Sequence, residues 1–206
     1  MTHSEAAIIR GISNAALPSP CPIPGREPRT TRIGLNQTRL YDSGDVHTEQ
    51  VQEGVSACAG AGANVVFLPE LTLSRCPADK RPVGRADTSA EDLDSGPSLA
   101  LARELARDCE VHVQISLFER CGAADQRGLN TSIIVAQNGE CEGRTRKLHI
   151  PVTEGYLEDH SCTEGPTDDP YPMHSLELDG VDLRVGNPTL GRVVPGIGAL
   201  LRFGRR

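Results

Sequence analysis

The sequence predicts an α/β layered domain, and three observations carry that prediction. Short apolar runs alternate with two stretches of helical periodicity, in the order strand, helix, strand, helix, strand, hairpin. Val65 to Leu68 is apolar without interruption, as in a strand covered on both faces. Asn138-Gly139 sits between two further strand-like runs and is the strongest short hairpin signal available.

Each element has a local reason. Residues 1–31 read as a disordered tail, because Pro18, Pro20, Pro22, Pro24 and Pro28 deny it helix or sheet and it has little to bury. Ile33 and Leu35 alternate with Gly34 and Asn36 and give a short first strand. A helix is expected over 46–61, with Val51, Val55 and Cys58 on one face, weakened by Gly54 and ended by the Gly60-Ala61-Gly62 stretch. Pro69 closes the strand at Val65–Leu68, which delivers Glu70 to its C-terminal end. Ligands of α/β sheets gather at that edge.

Residues 74–95 are polar and rich in Pro, Asp and Arg, and read as a long surface loop. Pro97 opens a helix to Cys109, capped by Ser95 or Gly96, with Leu99, Ala102, Leu105, Ala106 and Cys109 as its buried stripe. Val111, Val113, Ile115 and Leu117 alternate strictly and mark the clearest strand, with Glu119 just past its end. Thr131 to Ala136 is the next strand, and the hairpin returns the chain as Glu140 to Ile150. Val181, Leu183 and Val185 give a last strand.

Composition narrows the function. A chain of 206 residues suits one domain; 37% apolar residues, 3% aromatics and no Trp leave an aliphatic core. A net charge of −7 argues against nucleic acid or an anionic membrane as partner, and no apolar run approaches a membrane span. The N-terminus lacks a basic region followed by an apolar one, so no secretory signal is read. Seven cysteines, scattered with no C-x-x-C pair, suit reduced thiols in a cytoplasmic protein, most of them small core fillers. The six histidines show no metal-ligand spacing, and His149 between Leu148 and Ile150 reads as structural; no metal or other cofactor is expected.

Taken singly, the ionisable candidates have plain explanations. Pro69-Glu70 after a strand is a solvated turn, Arg144, Arg146 and Lys147 are a wet basic face, and Glu119 and Glu158 are surface acids. As a pair, a carboxylate and an ammonium at two strand ends suit the base and the oxyanion stabiliser of acyl transfer.

Their motifs change the reading. Gly62 to Glu70 has the form G-A-x-x-V-x-x-P-E, and Arg146 to Pro151 the form R-K-x-H-I-P, followed by Gly155-Tyr156-Leu157-Glu158. Asn130-Thr131-Ser132-Ile133-Ile134-Val135 and Asn138-Gly139 stand between them. In this order, over residues 32–189, the motifs resemble the nitrilase, or carbon–nitrogen hydrolase, superfamily. The resemblance implies an α-β-β-α sandwich, here incomplete, commonly paired into homo-oligomers. It implies hydrolysis of a small non-peptide amide or N-carbamoyl compound by a Cys-Glu-Lys triad without a cofactor. Glu70 would be the general base, Lys147 the oxyanion stabiliser, and Glu158 a second glutamate that positions substrate or Lys147.

The chain departs from that pattern at the nucleophile. The family segment P-T-C-W-x-x-W-F-P-E would begin at Pro188-Thr189, yet Leu190-Gly191-Arg192-Val193 follow and no cysteine lies beyond Cys162. Codons for Leu190 to Ile197 can be chosen so that a one-base move reads Trp-Ala-Gly-Trp-Phe-Pro-Glu. The expectation is therefore a frameshift at the nucleophile codon, with residues 190–206 out of frame and the protein truncated, poorly soluble and inactive. The other reading is a catalytically dead fragment or a non-catalytic partner of intact homologues.

Overall fold

The computed structural model describes residues 31–153, 156–178, 181–186 and 200–203. The expected tail over 1–30, Gly155, and residues 187–199 with the Thr189 boundary lie outside the described residues.

Five strands form the central sheet in the order β1 (Ile33–Leu35), β2 (Val65–Phe67), β3 (His112–Glu119), β4 (Leu129–Val135) and β5 (Cys141–Arg146). β1, β2 and β3 run parallel, and β3, β4 and β5 antiparallel. Helices α1 (Gly44–Gly60) and α2 (Pro97–Asp108) connect the parallel strands. They cover one face, where Val51, Val55, Leu99, Ala102 and Leu105 meet Val66, Val113, Ile115, Ile133 and Val135. A second, three-stranded antiparallel sheet covers the other face. The two-residue strands β6 (Val152–Thr153) and β7 (Tyr156–Leu157) pair before it in the chain, and its own order is β10 (Leu200–Phe203), β9 (Val181–Gly186), β8 (Met173–Leu178). Leu176, Leu178, Leu183 and Val185 pack there on Val65, Phe67 and Ile134. Successive residues of a strand point to opposite faces, so Val66 goes to the helices while Val65 and Phe67 go to the second sheet. The described part is thus three layers of the α/β sandwich: helices, sheet and sheet.

The local expectations hold with shifted limits. Ser43 caps α1, its hydroxyl accepting from the Val46 N–H at 3.5 Å, so the helix starts two residues early. Gly54 suits this helix, because the Asn36 side chain occupies the place a Cβ would take. Gly62, at φ 81°, turns the chain out of α1, and Gly139, at φ 84°, forms the hairpin with Asn138. β5 ends at Arg146, short of the Ile150 expected, and Glu119 closes β3 from within. Residues 200–203 of the segment read as out of frame pair with β9.

Two corrections concern burial. β3 is buried on both faces, the polar side of its alternation included. There Gln114 donates to Ser132 Oγ at 2.6 Å and accepts from the Leu68 N–H at 3.2 Å, so its amide is satisfied. The 74–95 loop is not purely surface: it holds a short 3-10 turn at Pro77–Asp79 and buries Ala78, Asp87 and Ala90. It also brings Glu91 to α2, where the carboxylate accepts from the Ser98 N–H at 2.8 Å and the Ser98 hydroxyl at 2.7 Å. Gly96 is the cap residue and offers no side chain, so this distant carboxylate serves the orphan Ser98 N–H. The described cysteines mostly fill core positions, as expected: Cys162 lies in an apolar cluster with Cys76 packed against it, Cys58 and Cys109 pack against the helix-side core, and Cys121 and Cys141 are exposed. No disulfide joins them among the described residues.

Ile115 is fully enclosed between β3 and the helices. Ile115→Ala is expected to cost about 2–5 kcal/mol, read as a lower urea midpoint with an unchanged slope.

Candidate active site

The topology sends four chain segments to one edge of the central sheet. β2 and β3 run parallel, so Glu70, just past β2, and Glu119, the last residue of β3, lie at the same end. β4 runs back from that end, pairing Asn130 with Phe118. β5 returns to it, pairing Arg146 with Thr131, and Lys147 follows immediately. A fifth segment, α3 (Glu158–Ser161), joins these four and begins with Glu158.

These side chains converge. Lys147 Nζ donates to Glu158 Oε1 at 2.9 Å and Oε2 at 2.8 Å, and to Glu70 Oε1 at 3.2 Å. Asn130 Nδ2 donates to Glu70 Oε1 at 2.6 Å and to Glu158 Oε1 at 3.1 Å. The side chains of Lys147 and Glu158 are 8% and 1% exposed, whereas that of Glu70 is 42% exposed. The cluster therefore has a dry interior and one wet carboxylate. All three residues singled out from the sequence meet here. Lys147 and Glu158 are buried, contrary to the solvated readings they carried singly.

The backbone fixes this arrangement. Leu71 adopts φ 51°, a left-handed conformation unusual for leucine, in the turn that aims Glu70. Thr72 Oγ1 donates to the Pro69 carbonyl at 2.7 Å and holds that turn closed. The Lys147 N–H donates to the Asn130 carbonyl at 2.8 Å, and the Lys147 carbonyl accepts from the Gly165 N–H at 2.9 Å. α3 is one turn long and depends on outside contacts. Ser161 Oγ donates to the Pro77 carbonyl at 3.1 Å, and Arg127 donates to the Asp159 carbonyl at 3.0 Å.

Glu119 is not a surface acid. It is buried, pairs with the Arg146 guanidinium through both oxygens, and accepts from Thr131 Oγ1 at 2.6 Å. This bidentate pair ties the end of β5 to β3 and so sets where Lys147 begins. His149 is exposed and bonds the Tyr171 hydroxyl at the surface, so it is not a core residue. No group of acids, histidines and cysteines among the described residues has the form of a metal site. Sequence reasoning missed Asn130 as a site residue. Its one local signal is a carboxamide at the start of a strand that is otherwise buried.

The electrostatics follow from burial and pairing. Burial is the largest single influence on Lys147 and acts to lower its pKa, but Glu70 and then Glu158 more than offset it and hold the ammonium above the ordinary lysine value. Burial first, and the Glu158 charge second, push the Cys162 thiol far above its ordinary range. Cys162 packs with Leu71, Ala90 and Phe118 and supplies no ready thiolate. Beside the cluster lies a cleft of about 260 Å³ whose lining includes His47, Glu70, Thr72, Arg75 and Cys76.

The sequence model of the family described as Carbon-nitrogen hydrolase matches residues 33–193. The chain belongs to the carbon–nitrogen hydrolase family. It is 28% identical over 187 residues to the chloroplastic omega-amidase of Arabidopsis thaliana, a match covering 81% of this chain and 48% of that protein. It is 26% identical over 145 residues to the N-carbamoylputrescine amidase of the same plant, covering 68% and 46%. Among solved structures it is similar to a carbon–nitrogen hydrolase from Helicobacter pylori G27, with a TM-score of 0.57 and 22% identity over 66% of this chain and 45% of that one. An amidase from Nesterenkonia sp. gives a TM-score of 0.55 and 19% identity over 74% of this chain and 53% of that one. The chain spans about half the length of these relatives or less.

Two outcomes follow for the buried charges. Glu158→Ala leaves the Lys147 ammonium with one partly exposed carboxylate, and a loss of about 3–5 kcal/mol in urea unfolding is expected. The folded protein binds the Lys147 proton more tightly than the unfolded chain. Its contribution is therefore full below the ordinary value of 10.5 and is lost as pH rises through the higher folded value. Stability measured up this alkaline range should fall more steeply for the parent protein than for Lys147→Met.

Proposed function

We propose that this cluster is the carbonyl-activating half of a hydrolase acting on a small non-peptide amide or N-carbamoyl compound. The observation that carries the reading is one half-exposed carboxylate, Glu70, held beside a buried ammonium, Lys147, at the edge of a cleft. In the reaction, a thiol attacks the carbonyl carbon and its proton passes to Glu70. Lys147 donates to the oxygen as negative charge develops there. The C–N bond breaks with the proton returned from Glu70 to the departing nitrogen, leaving a thioester. Glu70 then takes a proton from the water that cleaves the thioester. Glu158 stays ion-paired throughout and orients Lys147. The names omega-amidase and N-carbamoylputrescine amidase among the relatives support an amide or carbamoyl carbon as the target. An amidase of similar fold from Nesterenkonia sp. AN1 carries an active site cysteine, which supports the thiol chemistry.

The thiol itself is the gap. No cysteine follows Cys162 in the sequence, and Cys162 is protonated in its apolar packing. We read residues 190–206 as out of frame, so the chain as it stands releases no ammonia. A gene with the frame restored at codon 190 tests both parts. Its product is expected to release ammonia from a linear amide or an N-carbamoyl amine, and Glu70→Gln or Lys147→Met is expected to reduce that at least about a hundredfold. An inactive restored chain, or one indifferent to both substitutions, would overturn the reading. Turnover by the original chain would overturn its inactivity and make the cleft residue Cys76 the first thiol to replace.

A further inference from the structure

We propose that Asn130 is a positioning residue, whose single carboxamide clamps the two glutamates about Lys147 and leaves Oε2 as the oxygen of Glu70 that faces the chemistry. The inference rests on the reading of Glu70 as the proton-transfer group, and it deepens that reading.

Asn130 is 1% exposed and has two N–H bonds to give. Its Nδ2 lies 2.6 Å from Glu70 Oε1 and 3.1 Å from Glu158 Oε1, so both bonds go to carboxylates. Lys147 Nζ touches the same two oxygens, at 3.2 Å and 2.9 Å. Four groups thus close a ring: carboxylate, amide, carboxylate, ammonium. Oε1 of Glu70 accepts from both donors, while Oε2 has no hydrogen-bond partner among the described residues and belongs to a side chain that lines the cleft. One oxygen is fixed and the other is open.

The orientation of the amide is itself fixed. Turned the other way, Oδ1 would face two carboxylate oxygens and repel both. In the orientation seen, Oδ1 accepts from Ser116 Oγ at 3.5 Å. The backbone adds a second hold, since the Asn130 carbonyl accepts from the Lys147 N–H. A charged donor could replace the amide only by adding a positive charge against Lys147. A hydroxyl would reach one carboxylate. A neutral group with two N–H bonds and an acceptor behind them is what this place requires.

The test reads the state of Lys147 and needs no substrate, so a chain that hydrolyses nothing counts against the proposed reaction and not against the clamp itself. Acetylation of Lys147 by acetic anhydride is followed by peptide mass spectrometry at one mildly alkaline pH, in variants that keep the parent's circular dichroism. Without the amide, Glu70 swings out to water and Lys147 loses one of its two carboxylates. Asn130→Leu is therefore expected to speed the acetylation about tenfold, as a one-unit fall in the lysine's affinity for its proton would. Asn130→Asp disturbs the packing to a similar degree but adds an anion beside the ammonium, and it is expected to give no acceleration. If the leucine variant does not fold, Asn130→Ser, with one donor left, should give a smaller acceleration in the same direction. Equal acceleration by the leucine or serine variant and the aspartate variant would mean simple loosening. No acceleration by either neutral variant would mean that Glu70 keeps its place unaided. Either result overturns the proposal.

Discussion

An ammonium taken out of water is costly, and the structure around Lys147 is arranged to meet that cost. Two charges in the interior repay their desolvation only with good geometry and every remaining hydrogen bond made. Lys147 has Glu158 on both oxygens and Glu70 on one. That requirement explains features otherwise unrelated: the strained turn at Leu71, the one-turn helix at Glu158, and the carboxamide between the two acids. Remove any one and the ammonium is left buried with too little charge against it.

The mixed sheet makes this convergence possible. Helical crossovers make β1, β2 and β3 parallel, and the connections from β3 to β4 and from β4 to β5 each reverse the chain, so strand ends and one strand start share an edge. A purely parallel sheet would bring only strand ends there. The Glu119–Arg146 pair ties the end of β5 to the end of β3 across β4 at that edge, so the residue after Arg146 must enter the site. Two ion pairs in neighbouring positions thus divide the labour: one sets the register and the other faces the cleft.

Much of this was legible in the sequence, and the limits have physical causes. The apolar run Val65–Leu68, the Pro97 start of α2, the alternation in β3 and the Asn138-Gly139 turn are local signals, and each named its element. Glu70, Lys147 and Glu158 emerged from motif order, because local context alone suggests a wet face. β8 escaped notice: Met173, Leu176 and Leu178 are too sparse among His174, Ser175 and Glu177 to stand out. The polar side of β3 resembles a solvent face in the sequence, because its cover comes from distant segments, as where Leu71, Ala90 and Cys162 pack on Phe118. Asn130 was hidden for the same reason, since the two glutamates it joins lie 60 residues before it and 28 after it.

The carboxylate of Glu91 against the first turn of α2 has one more implication. The helix draws its opening hydrogen bonds from a residue that β3 holds in place, since the Glu91 N–H donates to Phe118 and the Glu91 carbonyl accepts from Arg120. As a free peptide, residues 97–108 would lack this anion and fray from the front. The helix is therefore not a portable module: grafted into another scaffold, it would need a substitute acid brought from outside its own span.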